Sequence, residues 1–501
     1  MEPAARSLSH PPDVAGVTLP FAAIVLAMLP AVLDQTILAT ALPTIAADLG
    51  RLSDLSWVVT AYVVAAAAST PLWGKLGDRH GRKLLLQVSL TIFLCASALC
   101  GLAQDITMLV AARTVQGAAA GGLMTLAMAA VGDLVSPRER GRYQGYIAAA
   151  FAVATVVGPL AGGVLVDHAS WRWVFYVNIP IGIAALAGLS LRLPSGARER
   201  PSAPLDGIGA ALLAGMTTTF MLACIWGGSR YAWDSAAIVG LFGASALLAA
   251  ALVLRERRAA DPIVPLDLLR MPSVAIASAA LFLVTASLFA ITVFVPLFLQ
   301  TTTGASPTQA GLLLIPMMLG ITLSTNVAGR AISRTGRYKR FPIIGLALMT
   351  GALVLLAAVA SDPSRTTTAV AIGIFGLGFG MVGQVLIVAV QNSVELRQLG
   401  VAMATTSFFR ALGGAVGAAV LGAIFAANTG AGIDAKAPAA RADIIHGVQT
   451  VFVVAAPIAA VALFVVLALK EVPLRGPGGP PAPPPRAPGA EPAAPRAAAS
   501  R

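Results

Sequence analysis

Gly74-Lys75-Leu76-Gly77-Asp78-Arg79-His80-Gly81-Arg82-Lys83 returns, at an offset of 255 residues, as Gly329-Arg330-Ala331-Ile332-Ser333-Arg334-Thr335-Gly336-Arg337-Tyr338. The same offset carries Gly158 and Gly162 onto Gly413 and Gly417. Two independent matches at one spacing mark an internal duplication. Outward from these loops, each copy follows an apolar run long enough to cross a bilayer, which takes about 20 residues. Fourteen such runs occur, at 17–43, 55–74, 84–103, 106–131, 144–166, 173–191, 206–226, 235–254, 274–299, 308–329, 341–360, 366–390, 400–426 and 448–469. The two loops follow the second and tenth runs. The chain therefore reads as two related six-span halves, 17–191 and 274–469, with an accessory pair of spans, 206–254, between them. Residues 1–16 lead into the first span. Residues 473–501 form a tail of Pro, Gly, Ala and Arg whose composition cannot build a core, so it is expected to be disordered. The predicted fold is an all-α polytopic membrane protein, and repeated halves point to a transporter.

Composition narrows the function. Hydrophobic residues make up 57% of the 501 and charged residues 11%, with a mean hydropathy of +0.83. Short connections leave no room for a large soluble catalytic domain. The four histidines are scattered and no nucleophile stands near a base, so neither an enzyme, a metal site nor a cofactor is expected. Cys95, Cys100 and Cys224 fall in apolar runs, where a thiol acts as a small hydrophobe, and no disulfide is expected. The run from Val17 to Pro43 is too long for the core of a signal peptide and contains Asp34, so it reads as a retained first span. Of the lysines and arginines outside the spans, 26 fall on one side and only six on the other: Arg51, Arg172, Arg230, Arg365, Lys436 and Arg441. The positive-inside rule then places both termini and both glycine-rich loops in the cytoplasm. This topology accounts for the net charge of +12, so no nucleic-acid partner is needed. The outward loop from Asn428 to His446 is built of small residues and is expected to be mobile.

A charge within hydrocarbon costs at least about 2.5–3.5 kcal/mol and so faces a partner or water. Asp34, Arg113 and Arg410 are the clear cases. Asp34 lies nine residues before Pro43 on an outward-running span, and Arg113 eight after Asp105 on an inward-running one. At 1.5 Å per residue both sit about 12–14 Å below the outer end, level enough to pair. Burial favours the neutral form of a carboxylic acid, whereas a nearby guanidinium favours the ionised form. A shift of Arg113 would thus load or release a proton on Asp34; a purely structural ion pair is the competing reading. One proton falling through about 100 mV gains roughly 2.3 kcal/mol, and one pH unit adds about 1.4.

Gln35, Gln116, Asn326, Gln384, Gln391 and Arg410 are candidate polar linings of a central cavity, with Met124, Phe289 and Met381 as apolar wall. Amides that bridge buried helices are an equal expectation. In the first loop, Gly74, Gly77 and Gly81 allow a tight turn close to neighbouring helices. Asp78 can accept hydrogen bonds from a helix N-terminus, and Arg79 and Arg82 hold the loop at the cytoplasmic face. Asp78 is expected to dock at the start of the thirteenth span, near Gly400 to Met403, when the chain opens outward. Ser333, which replaces the aspartate in the second copy, is expected near the start of the fifth. Gly158, Pro159, Gly162 and Gly163 combine a kink-prone proline with a small-xxx-small face for close helix contact.

Together, the first loop, Arg113-Thr114-Val115-Gln116-Gly117, Gly158-Pro159-Leu160-Ala161-Gly162-Gly163 and Leu33-Asp34-Gln35-Thr36 with Ala41-Leu42-Pro43 resemble the motif set of the major facilitator superfamily. Within it they are similar to the 14-helix drug:proton antiporters, as are Trp171-Arg172-Trp173 and Asn178-Ile179-Pro180. The resemblance covers about residues 15–470. It implies that the Gly74–Lys83 loop gates the cytoplasmic side and that Gly158–Gly163 marks an exporter. Family members that expel dications often carry further acids in spans 10 and 13, where this chain has Asn326 and Arg410, so polycationic cargo is not expected.

The function this predicts is proton-coupled export of an amphipathic drug, antibiotic or endogenous secondary metabolite across the cytoplasmic membrane by alternating access. Its partners are the substrate, protons and membrane lipids, and a monomer is the expected working unit. Apolar walls suggest hydrophobic neutral or monocationic cargo. The alternatives are a facilitator for a lipid or small metabolite and a non-transporting membrane sensor, which would not need Asp34 or the span 5 glycines.

Overall fold

The computed structural model describes residues 14–49, 55–136, 139–194, 205–228, 230–259, 261–303, 314–359, 365–395, 398–429 and 438–473. Fourteen long helices lie within them. The first half comprises α1 (Val14–Leu49), α2 (Leu55–His80), α3 (Arg82–Gly101), α4 (Ile106–Leu134), α5 (Arg140–His168) and α6 (Asn178–Arg192), the last preceded by a helical turn at Trp173–Tyr176. The accessory pair is α7 (Gly207–Trp226) and α8 (Ala236–Glu256). The second half comprises α9 (Pro272–Phe289, continuing as Val295–Thr303), α10 (Ile315–Thr335), α11 (Arg340–Val359), α12 (Arg365–Ser393), α13 (Leu399–Thr429) and α14 (Pro438–Leu467). Thirteen are long and apolar enough to cross a membrane; α10 is made more polar by Arg330 and Arg334 near its end.

Local chemistry sets several boundaries. Asp105 begins α4 by accepting from Met108 N at 2.8 Å, and Asp206 begins α7 by accepting from Gly209 N at 3.0 Å. Gly81 (φ 91°) makes the turn between α2 and α3, and Gly336 (φ 70°) ends α10, conformations that a side chain disfavours. Within α9 the backbone widens to a π-turn at Ala290–Phe294. Pro296 follows it and has no N–H to donate back along the helix.

One expectation needs correction. The stretch expected as a loop from 428 to 446 is helical from Pro438 onward, because α14 extends well beyond its apolar span. Residues 430–437 of that loop lie outside the described residues, as do the leader before residue 14 and the tail after 473.

The duplication reappears as paired contacts. A Cβ on Gly158 or Gly162 of α5 would collide with Thr36, Ile37 or Thr40 of α1, and one on Gly413 or Gly417 of α13 would collide with Phe282 or Ala286 of α9. Such glycines bring backbones together where side chains would hold them apart. Pro159 is exposed and Gly163 has open space around its Cα, so half of the α5 motif faces away from this contact.

Between the halves, α2 packs on α13 and α5 on α10. Both junctions are tightest at the end of the bundle that carries the duplicated loops, called here the loop end. A Cβ on Gly74 would lie 2.6 Å from Gly400 O, and one on Gly141 would lie 3.0 Å from Gly329 Cα. The halves are thus joined at the loop end, and a cavity lies beyond that closure.

Candidate functional site

The first element of the site is a polar cluster sealed inside the first half. Arg113 and Gln116 are three residues apart on α4, so they share one face. Arg113 Nη1 donates to Asp34 Oδ2 of α1 and, at 2.8 Å, to Gln116 Oε1. Gln116 Nε2 donates to Asp34 Oδ1 at 2.9 Å and to Ser97 Oγ at 3.2 Å. Asn178 Nδ2, at the start of α6, donates to Asp34 Oδ1 at 3.2 Å and to Ser97 Oγ at 3.1 Å. Arg113 Nε also reaches Val58 O at 3.3 Å, and its guanidinium lies 4.2 Å from the centre of the Tyr62 ring, a favourable cation–π position. Gly117 permits this, since a Cβ there would collide with the Tyr62 backbone. Asp34, Arg113, Gln116, Ser97 and Asn178 are all buried. The equal depth inferred from span counting therefore corresponds to a direct ion pair, and three further polar residues complete its shell.

The second element is a cavity of about 380 Å³ between the halves, lined by α1, α2, α4, α9, α12 and α13. Gln35, Tyr62, Met124, Thr125, Phe379 and Arg410 are on its wall. Tyr62 thus stands with its ring against Arg113 and also borders the cavity. The Thr125 hydroxyl is buried with no hydrogen-bond partner among the described residues. Arg410 and Met124 also border a small void of about 20 Å³ with Met128 and Met403.

The third element closes the loop end. Asp78 accepts from Gly400 N at 3.0 Å and Val401 N at 2.9 Å, capping the first turn of α13, where a carboxylate is favoured by the helix dipole. Arg82 Nη2 holds Asp78 Oδ1 at 2.9 Å and also pairs with Asp133 of α4. Lys75 and Arg79 both pair with Asp261, in the connection from α8 to α9. Arg140 spans the two halves. It donates to Gln391 O of α12 at 2.8 Å, to Val135 O at 3.3 Å and to Gly132 O.

Of the remaining sequence candidates, Gln35, Met124 and Arg410 face the cavity, whereas Gln116 does not, because its amide is consumed by Asp34, Arg113 and Ser97. Asn326 sits at the α5–α10 junction, donating to Thr322 O at 2.8 Å and Gly145 O at 3.4 Å. Gln391 donates to Met128 O at 3.2 Å across the α12–α4 junction. Both are helix bridges rather than cavity lining. Phe289 packs edge-on against Phe294 and Met381 lies near Gly345 of α11. Gln384 Oε1 is buried with no partner among the described residues; none of these three borders the cavities above. Ser333 makes no hydrogen bond to α5 among the described residues: it is half-buried and donates to Arg330 O of its own helix at 2.9 Å. Gly329 occupies that junction instead, because a backbone-to-backbone approach leaves no room for a docking side chain.

Sequence reading missed Tyr62, Ser97, Asn178, Arg140, Asp133 and Asp261. Asn178 stood in a recognised motif without a partner. Arg140 was counted only toward topology.

Two helical bundles related by an internal repeat, closed on each other at one end of a central cavity with a buried ion pair beside it, have the architecture of a membrane transporter. The sequence model described as Major Facilitator Superfamily matches residues 24–418, and the chain belongs to that superfamily. It is 40% identical over 405 residues to an uncharacterized MFS-type transporter of Mycobacterium tuberculosis (strain ATCC 25618 / H37Rv), a stretch that covers 81% of this chain and 59% of the relative. It is 35% identical to the multidrug transporter protein MdtP of Bacillus subtilis (strain 168), covering 82% of this chain and 76% of MdtP. It is 34% identical to multidrug resistance protein 3 of the same bacterium, covering 80% and 78%. The human organic anion transporter MFSD10 superposes with a TM-score of 0.65 at 17% identity, covering 91% of this chain and all of that one. The proton:xylose symporter XylE superposes with 0.65 at 14%, covering 92% and 98%; these two likenesses establish the fold. The chain is therefore a multi-pass membrane protein of the Major Facilitator Superfamily.

Proposed function

We propose that this chain is a proton-coupled antiporter that exports amphipathic compounds across the cytoplasmic membrane, with its loop end and both termini in the cytoplasm. The observation that carries the reading is the isolation of Asp34. It is a carboxylate in mid-span, wholly buried, held by one arginine and two amides, and absent from the cavity lining, while the Tyr62 ring against its arginine borders that cavity. A rotation of either half that slides Arg113 away would leave Asp34 in apolar surroundings, where the neutral acid is favoured. Asn178 Oδ1, unpartnered among the described residues, then accepts a hydrogen bond from the O–H of the neutral acid, which keeps its proton. Return of Arg113 would expel it. The bonds from Asp78 to α13 and from Arg140 to α12 hold the loop end shut, and alternating access requires that they break as the cavity turns inward. Relatives named as multidrug transporters support a cargo of amphipaths.

Transport in proteoliposomes with an imposed pH gradient tests the reading, using the best substrate from a resistance screen in an efflux-deficient host. The expected result is gradient-driven transport by the natural chain and none by Asp34→Asn. The paired Asp34→Asn/Arg113→Gln variant, which leaves no unpaired buried charge, should also be folded and inactive. Undiminished gradient-driven transport by either variant would overturn the assignment.

A further inference from the structure

We propose that the central cavity is a binding site for amphipathic anions, with the Arg410 guanidinium receiving a carboxylate or sulfonate carried on an apolar body. The proposal names the cargo class of the export reading and rests on it for the transport step, though not for binding.

The argument starts from two arginines in mid-span. Arg113 is saturated: Asp34, Gln116 and Val58 O all accept from it. Arg410 lies on the cavity wall, and no carboxylate, amide or carbonyl among the described residues accepts from its guanidinium. No acid lines the cavity either, and Asp34 is buried and engaged elsewhere. A cation in an apolar, membrane-spanning site calls for an opposite charge, and a guanidinium offers a planar fork suited to a two-oxygen acid. A second donor is also unused: the buried Thr125 hydroxyl on the same wall has no partner among the described residues. Ser407, three residues before Arg410 and so on the same face of α13, adds a third hydroxyl or guanidinium donor to the wall. Around these lie Met124, Leu288 and Phe379, which would hold an apolar body, and about 380 Å³ is room for a drug-sized compound. A cationic ligand would meet Arg410 with nothing in the cavity to offset it. The neutral or monocationic cargo suggested by the apolar wall is thus replaced by an anionic one.

The charge balance separates the two. An anion leaving for a proton entering moves two charges per cycle, whereas a monocation leaving for a proton moves none.

The test uses the full chain in nanodiscs and three dansyl probes: dansyl-leucine, its methyl ester and dansylcadaverine, which are anionic, neutral and cationic. Dansyl-leucine should bind about tenfold or more tightly than dansylcadaverine. Arg410→Gln should weaken dansyl-leucine by a similar factor and leave the ester within about twofold, which also shows that the variant is folded. Arg410→Lys should retain part of the preference. Equal or tighter binding of dansylcadaverine, unchanged dansyl-leucine affinity in Arg410→Gln, or no binding of dansyl-leucine would each show a merely solvated arginine and overturn the proposal. Uptake into everted vesicles then separates the two readings. Dansyl-leucine that binds by Arg410 but ignores a proton gradient sinks antiport and leaves the anion site standing. Gradient-driven uptake of ester and cation without preference for the acid sinks the anion site and leaves antiport standing.

Discussion

The two halves share a backbone plan and differ in chemistry. Glycines at matched positions press α5 onto α1 and α13 onto α9. Yet the first half holds a sealed five-residue polar cluster around Asp34, and the second presents Arg410 bare to the cavity. The loops diverge in the same way. Asp78 caps α13 with two hydrogen bonds, whereas its counterpart Ser333 bonds only within its own helix and leaves the α5 junction to Gly141 and Gly329. Duplication has kept what fixes helix-to-helix distance and left charge free to vary. The buried ion pair and the arginine that faces the cavity therefore occupy different halves of one scaffold.

The largest expected effect contrasts the two arginines. Arg113→Met would strand the Asp34 carboxylate in a buried site, at a cost of about 3–5 kcal/mol. Arg410→Met removes a charge that has no partner among the described residues and should leave stability unchanged or raise it. Unfolding midpoints in detergent measure both. A loss for Arg410→Met as large as for Arg113→Met would mean that the second half hides an ion pair of its own.

Next in size is the contrast between loops. Hydrogen bonds to a charged group contribute roughly 1.5–3 kcal/mol each, so Asp78→Ala should shift the population toward an open loop end by about tenfold or more. Ser333→Ala should do nothing. Gly329→Ala should act like Asp78→Ala, because its Cβ would strike the Gly141 carbonyl. Distances between spin labels near residues 83 and 398 would report each population. An unchanged distribution in Asp78→Ala would remove the loop from the closure.

Much of this was readable beforehand because it depends on one-dimensional properties. Span number, the duplicated loop and the depth of Asp34 and Arg113 follow from apolar runs and residue counting. What counting cannot supply is helix rotation. A helix that is apolar all round has no polar face to show which side turns inward, so the sequence leaves open whether Gln116 lines the cavity or bridges helices, and gives Asn178 no partner, whereas both meet Asp34. Arg140 was unreadable for another reason: its acceptors are the backbone carbonyls of Gly132, Val135 and Gln391, which carry no side-chain signature. Gly329 and Ser333 show the limit of arguing from a repeat, since equivalent positions need not make equivalent contacts.

The smallest effect compares the loop end with the opposite end, where Asp48 at the end of α1 meets the Trp171-Arg172 turn. Trp171 Nε1 donates to Asp48 Oδ2 at 2.8 Å and Arg172 Nη1 donates to the same oxygen at 3.0 Å. The Trp171 hydrogen bond first, and then Arg172, hold this carboxyl below its ordinary value of 3.8. A carboxyl with a lowered folded-state value stabilises the fold above its ordinary value and loses that contribution as pH falls through the lowered one. The contribution should therefore be constant across neutral pH and fade only in acid. Both partners are partly open to solvent, so water and salt screen the pair. An Asp48→Asn variant keeps an acceptor for Trp171 and loses only the charge opposite Arg172. Its unfolding midpoint should fall slightly below that of the natural chain from about pH 5 to 8 and converge with it toward about pH 3. The gap should be smaller than that of Asp78→Ala and should close in high salt. A gap that widened in acid would reverse the sign of the interaction, and one as large as that of Asp78→Ala would mean that this end, too, is held by a lock.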